Sequence, residues 1–360
     1  MSTPLRKAMV LAAGSGRRLR PLTARRAKPA LPLMGRPLIE YVLARLQRMG
    51  IREAVVNLHH HPETVEPSLA RVPEGLSLHR SLEPELLGTA GGLKRAAEHL
   101  DGEPFLLVNS DTLVEFDLER LYEAHCDAGA LATLLLRPKP AGSSYTSVHL
   151  DSQSRIDSMS KSYRDGDLMF AGVWVLSPQI LTYLSGSQAG LEKELLPRLI
   201  EEKAALGSVQ ETDWISIDTP RHYWASCLTV ARERLWESDW LATATNDCAG
   251  EPKRGFVAVG DGCQLAPDAR CFGAVVLGAR CRVGSRAELQ NVVCWDDVEI
   301  PPDTELHNCV VTSGVRLPPA ARFSDRLVMR VEGDRSVLRK REIRDGLVVA
   351  PLKSGRAAGL

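Results

Sequence analysis

Residues 7–23, KAMVLAAGSGRRLRPLT, decide the fold because a short apolar strand pattern runs directly into a glycine loop and a row of arginines. Apolar strands of this kind, separated along a chain by amphipathic helices, are typical of a mostly parallel sheet that is covered on both faces. Ligands bind such sheets at the carboxyl ends of the strands. The glycine loop therefore lies where a binding site is expected.

Strand and helix patterns alternate over residues 1–240, and this alternation predicts the fold class. The strand patterns are KAMVLAA, EAVVNL, PFLLVNSD and ALATLLL, and the helix patterns are LIEYVLARLQRMG, GTAGGLKRAAEHL and LERLYEAHCDAG. We predict an α/β domain over residues 1–240 that is built on a Rossmann-like, mostly parallel sheet.

The C-terminal third has a different period. An aliphatic or bulky residue recurs every six positions and slips by one near the end: Val259, Leu265, Cys271, Leu277, Val283, Leu289, Trp295, Ile300 and Leu306. A six-residue period is typical of a parallel β-helix, in which each face of a triangular coil contributes one inward side chain. We predict a short left-handed parallel β-helix over residues 255–325, between a linker at 241–254 and a charged tail of unassigned function at 326–360.

Composition excludes several classes of partner. The 45 basic residues balance the 45 acidic residues, so no net field favours nucleic acid or an anionic membrane, and we predict neither as a partner. The apolar run 8–13 is too short for a signal-peptide core or a membrane span, and we expect a cytoplasmic protein.

Eight cysteines without a CxxC pair favour reduced, buried thiols, with Cys263 directly under Cys281 in the next coil.

The glycine loop has the composition of a phosphate-binding loop. Gly14 and Gly16 allow close backbone approach, and their N–H groups, with a helix starting beyond them, would form an anion-binding concavity. The loop matches neither the dinucleotide fingerprint, whose third glycine would fall at Leu19, nor the P-loop. Four nearby cations strengthen the phosphate interpretation over that of a merely solvated surface: Arg17, Arg18, Arg20 and Lys28.

Two aspartates follow apolar stretches at positions that suit a metal site. Asp111 ends FLLVNSD, and Asp218 ends WISID before the turn-forming TP. A carboxylate at a strand's carboxyl end lies at the crevice, and Mg²⁺ prefers one or two carboxylates together with phosphate oxygens and water. We predict a Mg²⁺ site, with two turn-starting surface aspartates as the alternative.

The sequence NLHHHPE places three adjacent histidines at positions 59–61. Neighbouring side chains of an extended segment point to opposite faces, so all three cannot converge on one ion. We therefore predict a structural role for these histidines rather than a metal site.

Several of these motifs together resemble one family. LAAGSGRRLRPLT followed by AKPALPL resembles the opening signature of the sugar-1-phosphate nucleotidylyltransferases, and EPELLGTAGGL resembles their base-binding segment. VNSD and WISIDTP are similar to the family's two metal-binding segments. The six-residue repeats resemble the β-helix of the mannose-1-phosphate guanylyltransferase branch, so the likeness extends over residues 7–310.

The resemblance implies a reaction and assigns its residues. A sugar-1-phosphate oxygen would attack the α-phosphorus of a nucleoside triphosphate in line, and pyrophosphate would leave. Arg18 would stabilise the pyrophosphate and Lys28 would bridge the α-phosphate and the sugar phosphate, while Asp111 and Asp218 would hold Mg²⁺. The implied nucleotide-binding residues are Leu11, Ala12, Ala13, Gly14, Ser15, Gly16, Glu83, Gly88 and Thr89.

The resemblance assigns the sugar to Tyr145, Lys161 and Gly172, and here the sequence departs from the family pattern. Thr146 stands where the motif Y-G-x-V-x-x-D has glycine, and Ser160 stands where E-K-P has glutamate. A serine cannot accept two hydrogen bonds in the bidentate manner of a carboxylate. The sequence therefore matches the family better in its nucleotide half than in its sugar pocket.

Three functional hypotheses follow. The first is an enzyme that makes an NDP-sugar, with GTP and mannose-1-phosphate or a related hexose or heptose phosphate ahead of UTP or dTTP substrates. The second is a non-catalytic nucleotide-sugar-binding regulatory protein. The presence of all four charged residues of the implied reaction argues against it: Arg18, Lys28, Asp111 and Asp218. The third is a hexapeptide acyltransferase. This hypothesis is disfavoured, because about three coils are short for an acyl-donor groove. We also expect a homo-oligomer, because the end of a short coil leaves strand edges open.

Overall fold

The structure is a computed structural model of the 360-residue chain. It describes residues 4–162, 164–186, 188–233, 235, 255–330, 343–344 and 346–352. The predicted linker at 241–254 lies outside the described residues, as does much of the predicted tail at 326–360.

Among the described residues, the N-terminal part contains thirteen strands and eight α-helices. The strands are β1 (Lys7–Leu11), β2 (Pro32–Leu33), β3 (Arg36–Pro37), β4 (Glu53–Leu58), β5 (Ser77–Leu82), β6 (Phe105–Asn109), β7 (Thr112–Val114), β8 (Ala132–Pro138), β9 (Ser147–Leu150), β10 (Ile156–Ser160), β11 (Leu168–Leu176), β12 (Ala205–Val209) and β13 (Trp214–Ser216). The helices are α1 (Leu38–Arg48), α2 (Glu66–Leu69), α3 (Gly88–Arg95), α4 (Ala97–Leu100), α5 (Leu118–Asp127), α6 (Leu191–Glu194), α7 (Leu196–Glu201) and α8 (Pro220–Arg232). The sequence motif GTAGGLKRAAEHL, predicted as one helix, is divided at Ala96 into α3 and α4.

The central sheet has nine strands, and β1 lies in its middle. The order is β10-β9-β11-β6-β1-β4-β5, with β8 on β11 and β12 on β8. β1 pairs in parallel with β4 and β6, and β4 pairs in parallel with β5. The predicted mostly parallel sheet is confirmed at this centre, while β11 pairs antiparallel with β6, β8 and β9.

Helices cover both faces of the sheet because β1 is apolar on both. Ala8 and Val10 pack with Leu38 of α1 in one buried cluster. Met9 packs with Leu93 of α3 in a second cluster on the opposite face. Among the helices that the structure describes, none is long and apolar enough to cross a membrane.

The C-terminal part consists of strands that mostly pair in parallel. They are β14 (Gly255–Val259), β15 (Gln264–Leu265), β16 (Arg270–Leu277), β17 (Arg282–Val283), β18 (Glu288–Cys294), β19 (Glu299–Ile300), β20 (Glu305–Val311), β21 (Arg322–Arg330), β22 (Ile343–Arg344) and β23 (Leu347–Pro351). β14, β16, β18, β20 and β21 pair in parallel in that order, and β15, β17 and β19 form a second parallel sheet. We refer to these two sheets as the coil stack. β21 crosses the predicted boundary at residue 325, because it continues to Arg330 and pairs antiparallel with β23.

The stack corrects one predicted inward residue. The register shifts between Phe272 and Val275, so Leu277 aligns with Cys294 rather than with Trp295. Cys294 therefore takes the inward position and belongs to the buried cluster inside the stack. The Trp295 side chain instead packs in the cluster shared with the N-terminal part.

The cysteine prediction is confirmed for the stacked pair. Gln264 pairs with Arg282, so Cys263 lies under Cys281, and the Cys281 N–H donates to the Cys263 Sγ at 3.3 Å. The expectation of buried thiols is wrong for Cys126, which is exposed on α5.

Candidate active site

The glycine loop leaves the sheet at the end of β1, where neighbouring strands fix its first residues. Ser110, which follows β6, donates to the Leu11 carbonyl from its N–H at 3.2 Å and from its Oγ at 2.6 Å. The Ala12 N–H donates to the Asn57 Oδ1 at 2.7 Å. A Cβ added to Gly14 would meet no described atom within 4 Å, so the backbone there is open to an incoming group.

The predicted helix start beyond the loop is wrong. Arg17–Leu19 forms a single 3₁₀ turn, and Gly16 precedes it with a left-handed φ of 57°. The Thr23 Oγ1 donates to the Gly16 carbonyl at 2.7 Å, and an added Cβ at Gly16 would lie 2.9 Å from the Thr23 Cγ2. Because one 3₁₀ turn has little dipole, the positive character of the loop comes from its arginine side chains.

The structure brings together the four charged residues that the sequence singled out. The Lys28 Nζ contacts the Asp111 Oδ2 and lies 3.4 Å from the Asp218 Oδ1. The Arg18 Nη2 lies 2.8 Å from that same Asp218 oxygen. Lys28 and Asp218 are 9% and 8% exposed, whereas the Arg18 side chain is 73% exposed. The cluster thus has a buried centre and one exposed outer cation.

An antiparallel ribbon, not the large sheet, places the second aspartate. β13 pairs antiparallel with β7, so that Ser216 lies opposite Thr112. The Ile217 N–H then donates to the Asp111 carbonyl at 3.2 Å, which brings Asp218 beside Asp111. Asp111 therefore follows β6 of the large sheet, and Asp218 follows β13 of the ribbon.

Neighbouring cations keep Asp218 ionised in spite of its burial. Burial alone would raise the pKa of Asp218, but the charges of Lys28 and Arg18 outweigh it and hold this pKa below its usual value. The Tyr145 hydroxyl donates to the Asp218 Oδ2 at 3.2 Å. Burial raises the pKa of Tyr145 to about 12, so the phenol stays protonated and keeps this hydrogen bond.

The donor set fits Mg²⁺ in type. Among the described residues, no three His, Cys, Asp or Glu side chains form a ready-made metal site. The two carboxylates of Asp111 and Asp218 meet at Lys28, and the second Asp111 oxygen accepts from the Thr112 hydroxyl at 3.1 Å. Two carboxylates, with the remaining positions left to phosphate oxygens and water, are the arrangement that Mg²⁺ prefers.

A buried network that the sequence analysis missed ties the glycine loop to the GTAGG segment. Asn57, which already accepts from Ala12, donates from its Nδ2 to the Glu83 Oε1 at 2.7 Å. The Glu83 Oε2 accepts from the Leu87 N–H at 3.1 Å. Glu83 is 1% exposed, and a Cβ at Gly92 would lie 2.6 Å from its Oε1. The structure therefore gives Glu83 a positioning role between the two loops.

Gly88 and Thr89 are held by a distant segment. Gly88 has a φ of 71°, and an added Cβ would lie 2.5 Å from the Ala189 carbonyl oxygen. The Thr89 hydroxyl accepts from the Leu191 N–H at 2.8 Å. No sequence motif pointed to Ala189 or Leu191, because their contact with the GTAGG segment spans about a hundred residues.

The predicted sugar-binding residues are only partly brought together. Tyr145 reaches Asp218, and Gly172 lies beside the start of β7, where an added Cβ would be 3.3 Å from the Thr112 Cβ. Lys161 is exposed, and within the described residues no hydrogen bond or ion pair joins it to this cluster. Ser160 has a partner that the sequence analysis missed, because its Oγ lies 3.0 Å from the His149 Nε2.

The three adjacent histidines have structural contacts, as predicted. A ring nitrogen of each lies close to a backbone carbonyl: His59 with Glu83 at 2.9 Å, His60 with Thr23 at 2.8 Å and His61 with Ala24 at 3.0 Å. A ring nitrogen facing a carbonyl carries the proton and donates. Two of the three therefore fix the backbone just before Lys28.

The chain resembles known proteins over much of its length. A family model described as nucleotidyl transferase matches residues 7–234. A probable mannose-1-phosphate guanylyltransferase 2 of Oryza sativa subsp. japonica is 28% identical over 305 residues, which cover 80% of this chain and 84% of that protein. A UTP–glucose-1-phosphate uridylyltransferase of Synechocystis sp. is 25% identical over 360 residues, which cover 89% of this chain and 93% of that protein.

A solved structure shares the fold. The crystal structure of HddC from Yersinia pseudotuberculosis matches with a TM-score of 0.55 and 23% sequence identity. The match covers 62% of this chain and 99% of that chain. The family model, which covers more than half of the chain, shows that the protein is a nucleotidyl transferase. The chain belongs to the nucleotidyl transferase family and, within it, to the sugar-1-phosphate nucleotidylyltransferases, as the sequence motifs predicted.

Replacing Gly92 by alanine tests the buried network. The added Cβ would lie 2.6 Å from the Glu83 Oε1 and 2.9 Å from the Asn57 Nδ2, so buried hydrogen bonds must shift. We expect Gly92→Ala to lower the free energy of unfolding by about 2 kcal/mol in urea, although alanine is the better helix former. Gly14→Ala is the matched control, with an expected change within about 0.5 kcal/mol. Equal losses in the two variants would contradict the assignment.

The Asp218 carboxylate predicts a pH dependence of stability. The pKa of Asp218 in the folded protein lies below the ordinary value of 3.8. The contribution of the ionised carboxylate to the free energy of unfolding is therefore complete above pH 3.8, and it is lost as the pH falls through the pKa of the folded protein. In urea unfolding between pH 7 and pH 3, the wild type should lose stability more steeply than Asp218→Asn below about pH 4. Parallel curves for the two proteins would show that Asp218 has no depressed pKa.

Proposed function

We propose that this chain condenses a nucleoside triphosphate with a sugar-1-phosphate to an NDP-sugar and pyrophosphate in a Mg²⁺-dependent reaction. The observation that carries the proposal is the contact of Lys28 with both Asp111 and Asp218, with Arg18 on the outer side. Phosphoryl-type transfer needs alignment and neutralisation of charge more than it needs a protein nucleophile. The cluster offers both at the end of a loop whose backbone is open at Gly14.

Each charged side chain has a role that suits its burial. Lys28 is buried and held on two sides, so it suits a fixed bridge between the α-phosphate and the attacking sugar phosphate. The Arg18 side chain is largely exposed, so it can follow the charge that develops on the departing pyrophosphate. The oxygen of the sugar phosphate forms the new bond to the α-phosphorus as the bond to the leaving pyrophosphate breaks.

Asp111 and Asp218 would hold the metal. Mg²⁺, when bound, supplies charge neutralisation between the two phosphate groups. Tyr145 would keep Asp218 oriented from the opposite oxygen. An added Cβ at Gly172 would lie 3.3 Å from the Thr112 Cβ, and Thr112 is the chain neighbour of Asp111, which supports the proposed place of Gly172 in the sugar pocket.

GTP and mannose-1-phosphate are the substrates that we propose first. Several relatives carry the name mannose-1-phosphate guanylyltransferase, among them a protein of Arabidopsis thaliana that is 28% identical over 316 residues. A uridylyltransferase name on the Synechocystis relative supports UTP as the second choice. Thr146 and Ser160 favour a related hexose or heptose phosphate as an alternative sugar.

The C-terminal part supports a further structural proposal. We propose that residues 255–325 form a left-handed parallel β-helix beside a nucleotidyltransferase domain at 1–240, because equivalent strands recur every 17 or 18 residues. A homo-oligomer, a cytoplasmic location and the lack of nucleic-acid or membrane partners stay predictions.

Pyrophosphate release tests the enzyme. The full chain with Mg²⁺ would be assayed with each nucleoside triphosphate against a panel of sugar-1-phosphates. We expect one pair to react, and Lys28→Ala and Asp111→Asn to lower kcat by at least about 100-fold. Lys7→Ala is the matched control, because Lys7 lies at the opposite end of β1 from Leu11 and donates to the Asp101 carbonyl.

Two outcomes would count against the proposal. Release that survives in Lys28→Ala would remove the cluster from the reaction. No release with any pair, together with retained NDP-sugar binding by calorimetry, would favour the regulatory protein.

A further inference from the structure

The segment that carries Lys28 is held from one side by the histidine motif. We define residues 23–32 as the Lys28 segment. His60 and His61 reach its first two carbonyls, and the Ala27 N–H donates to the Thr64 Oγ1 at 3.0 Å. These contacts fix the amino-terminal half of the segment to the end of β4.

The coil stack holds the same segment from the other side. The Tyr223 hydroxyl on α8 donates to the Pro32 carbonyl and accepts from the Trp295 Nε1 at 2.7 Å. Tyr223 is fully buried and Trp295 is 6% exposed. A hydrogen-bond chain therefore runs from the stack to the carboxyl-terminal end of the Lys28 segment.

A second contact joins Trp295 to the segment directly. The Arg26 guanidinium carbon lies 4.9 Å from the centre of the Trp295 ring, which is the distance of a cation–π contact. Arg26 is two residues from Lys28. Trp295 can make both contacts because the register shift between Phe272 and Val275 turns its side chain out of the stack.

Helix α8 also connects Trp295 to Asp218. The helix begins at Pro220, two residues after Asp218, and Thr219 caps it by accepting from the His222 N–H at 3.1 Å. Tyr223 lies in the first turns of this helix. Trp295 therefore touches the elements that carry both members of the Lys28–Asp218 pair.

We propose that Trp295 is a positioning residue of the active site, acting through Tyr223 and Arg26 to hold Lys28 against Asp111 and Asp218. The coil stack is then a working part of the active site. The kinetic part of this inference rests on the proposed function, and its structural part does not. A shift of a bound group by about 1 Å can cost about 100-fold in rate, so the loss of a distant support has a measurable effect.

The same interface offers a matched control. The Trp224 Nε1 donates to the Asn291 carbonyl of the stack at 2.9 Å, and the Arg232 Nη2 lies 2.6 Å from the Asn291 Oδ1. Trp224→Phe and Trp295→Phe each remove one indole donor across the interface. Trp295 is the tryptophan whose indole N–H donates to the Tyr223 hydroxyl and whose ring packs against Arg26.

Kinetics of the full chain give the first test. We expect Trp295→Phe to lower kcat by about 10- to 100-fold with a much smaller change in KM, because Lys28 acts on the reacting phosphates. Trp224→Phe should stay within about twofold of the wild type. Tyr223→Phe should follow Trp295→Phe, and in a Lys28→Ala background Trp295→Phe should add less than about twofold, because the two changes act on one unit.

Hydrogen exchange gives a second test that needs no turnover. The Ala30 and Leu31 amides donate within the segment at 3.0 and 3.1 Å. These amides should exchange faster in Trp295→Phe than in the wild type, and at the wild-type rate in Trp224→Phe. Unchanged exchange in both variants, or equal kinetic losses in both, would overturn the inference. A wild type without activity would contradict the proposed function. The exchange experiment would still test whether Trp295 supports the Lys28 segment.

Discussion

The contact of one buried ammonium with two carboxylates is the constraint on which the rest of this structure depends. Taking Lys28 or Asp218 out of water without a partner would cost several kcal/mol, so each can be buried only beside a group of opposite charge. Lys28 comes from the segment after the glycine loop, Asp111 from the end of β6, and Asp218 from the end of β13. The sheet, the β7–β13 ribbon and the support of the Lys28 segment all serve to bring three separate pieces of chain to one point.

That arrangement also explains why the site is prepared for phosphate chemistry. The two cations and two carboxylates balance each other, so the cluster is close to neutral in the protein as described. A triphosphate and a sugar phosphate add several negative charges, which suits a buried lysine, an exposed arginine and a divalent cation acting together. The groups are already oriented, so little reorganisation accompanies the reaction that we propose.

The parts of the site that could be predicted are those whose signal is local. The boundaries of β4 coincide with the motif EAVVNL, and β1 and α1 lie where their apolar patterns placed them, since these patterns depend on side-chain period within one element. Arg18, Lys28, Asp111 and Asp218 could be singled out because each follows a recognisable strand or glycine motif. The parts that could not be predicted depend on pairing between distant segments. The antiparallel ribbon that places Asp218 and the Asn57–Glu83 network are of this kind.

The sequence by itself determined the fold class, the family and the identity of the charged residues, because composition, period and motif are properties of neighbouring positions. Tertiary structure alone decided how those residues are supported. A register shift of one residue in the coil stack turns Trp295 from the predicted interior position toward α8, where it meets Tyr223, 72 positions away. A shift of this kind reverses the face on which a side chain lies without changing the pattern of residues, so only the three-dimensional pairing of the strands reveals it.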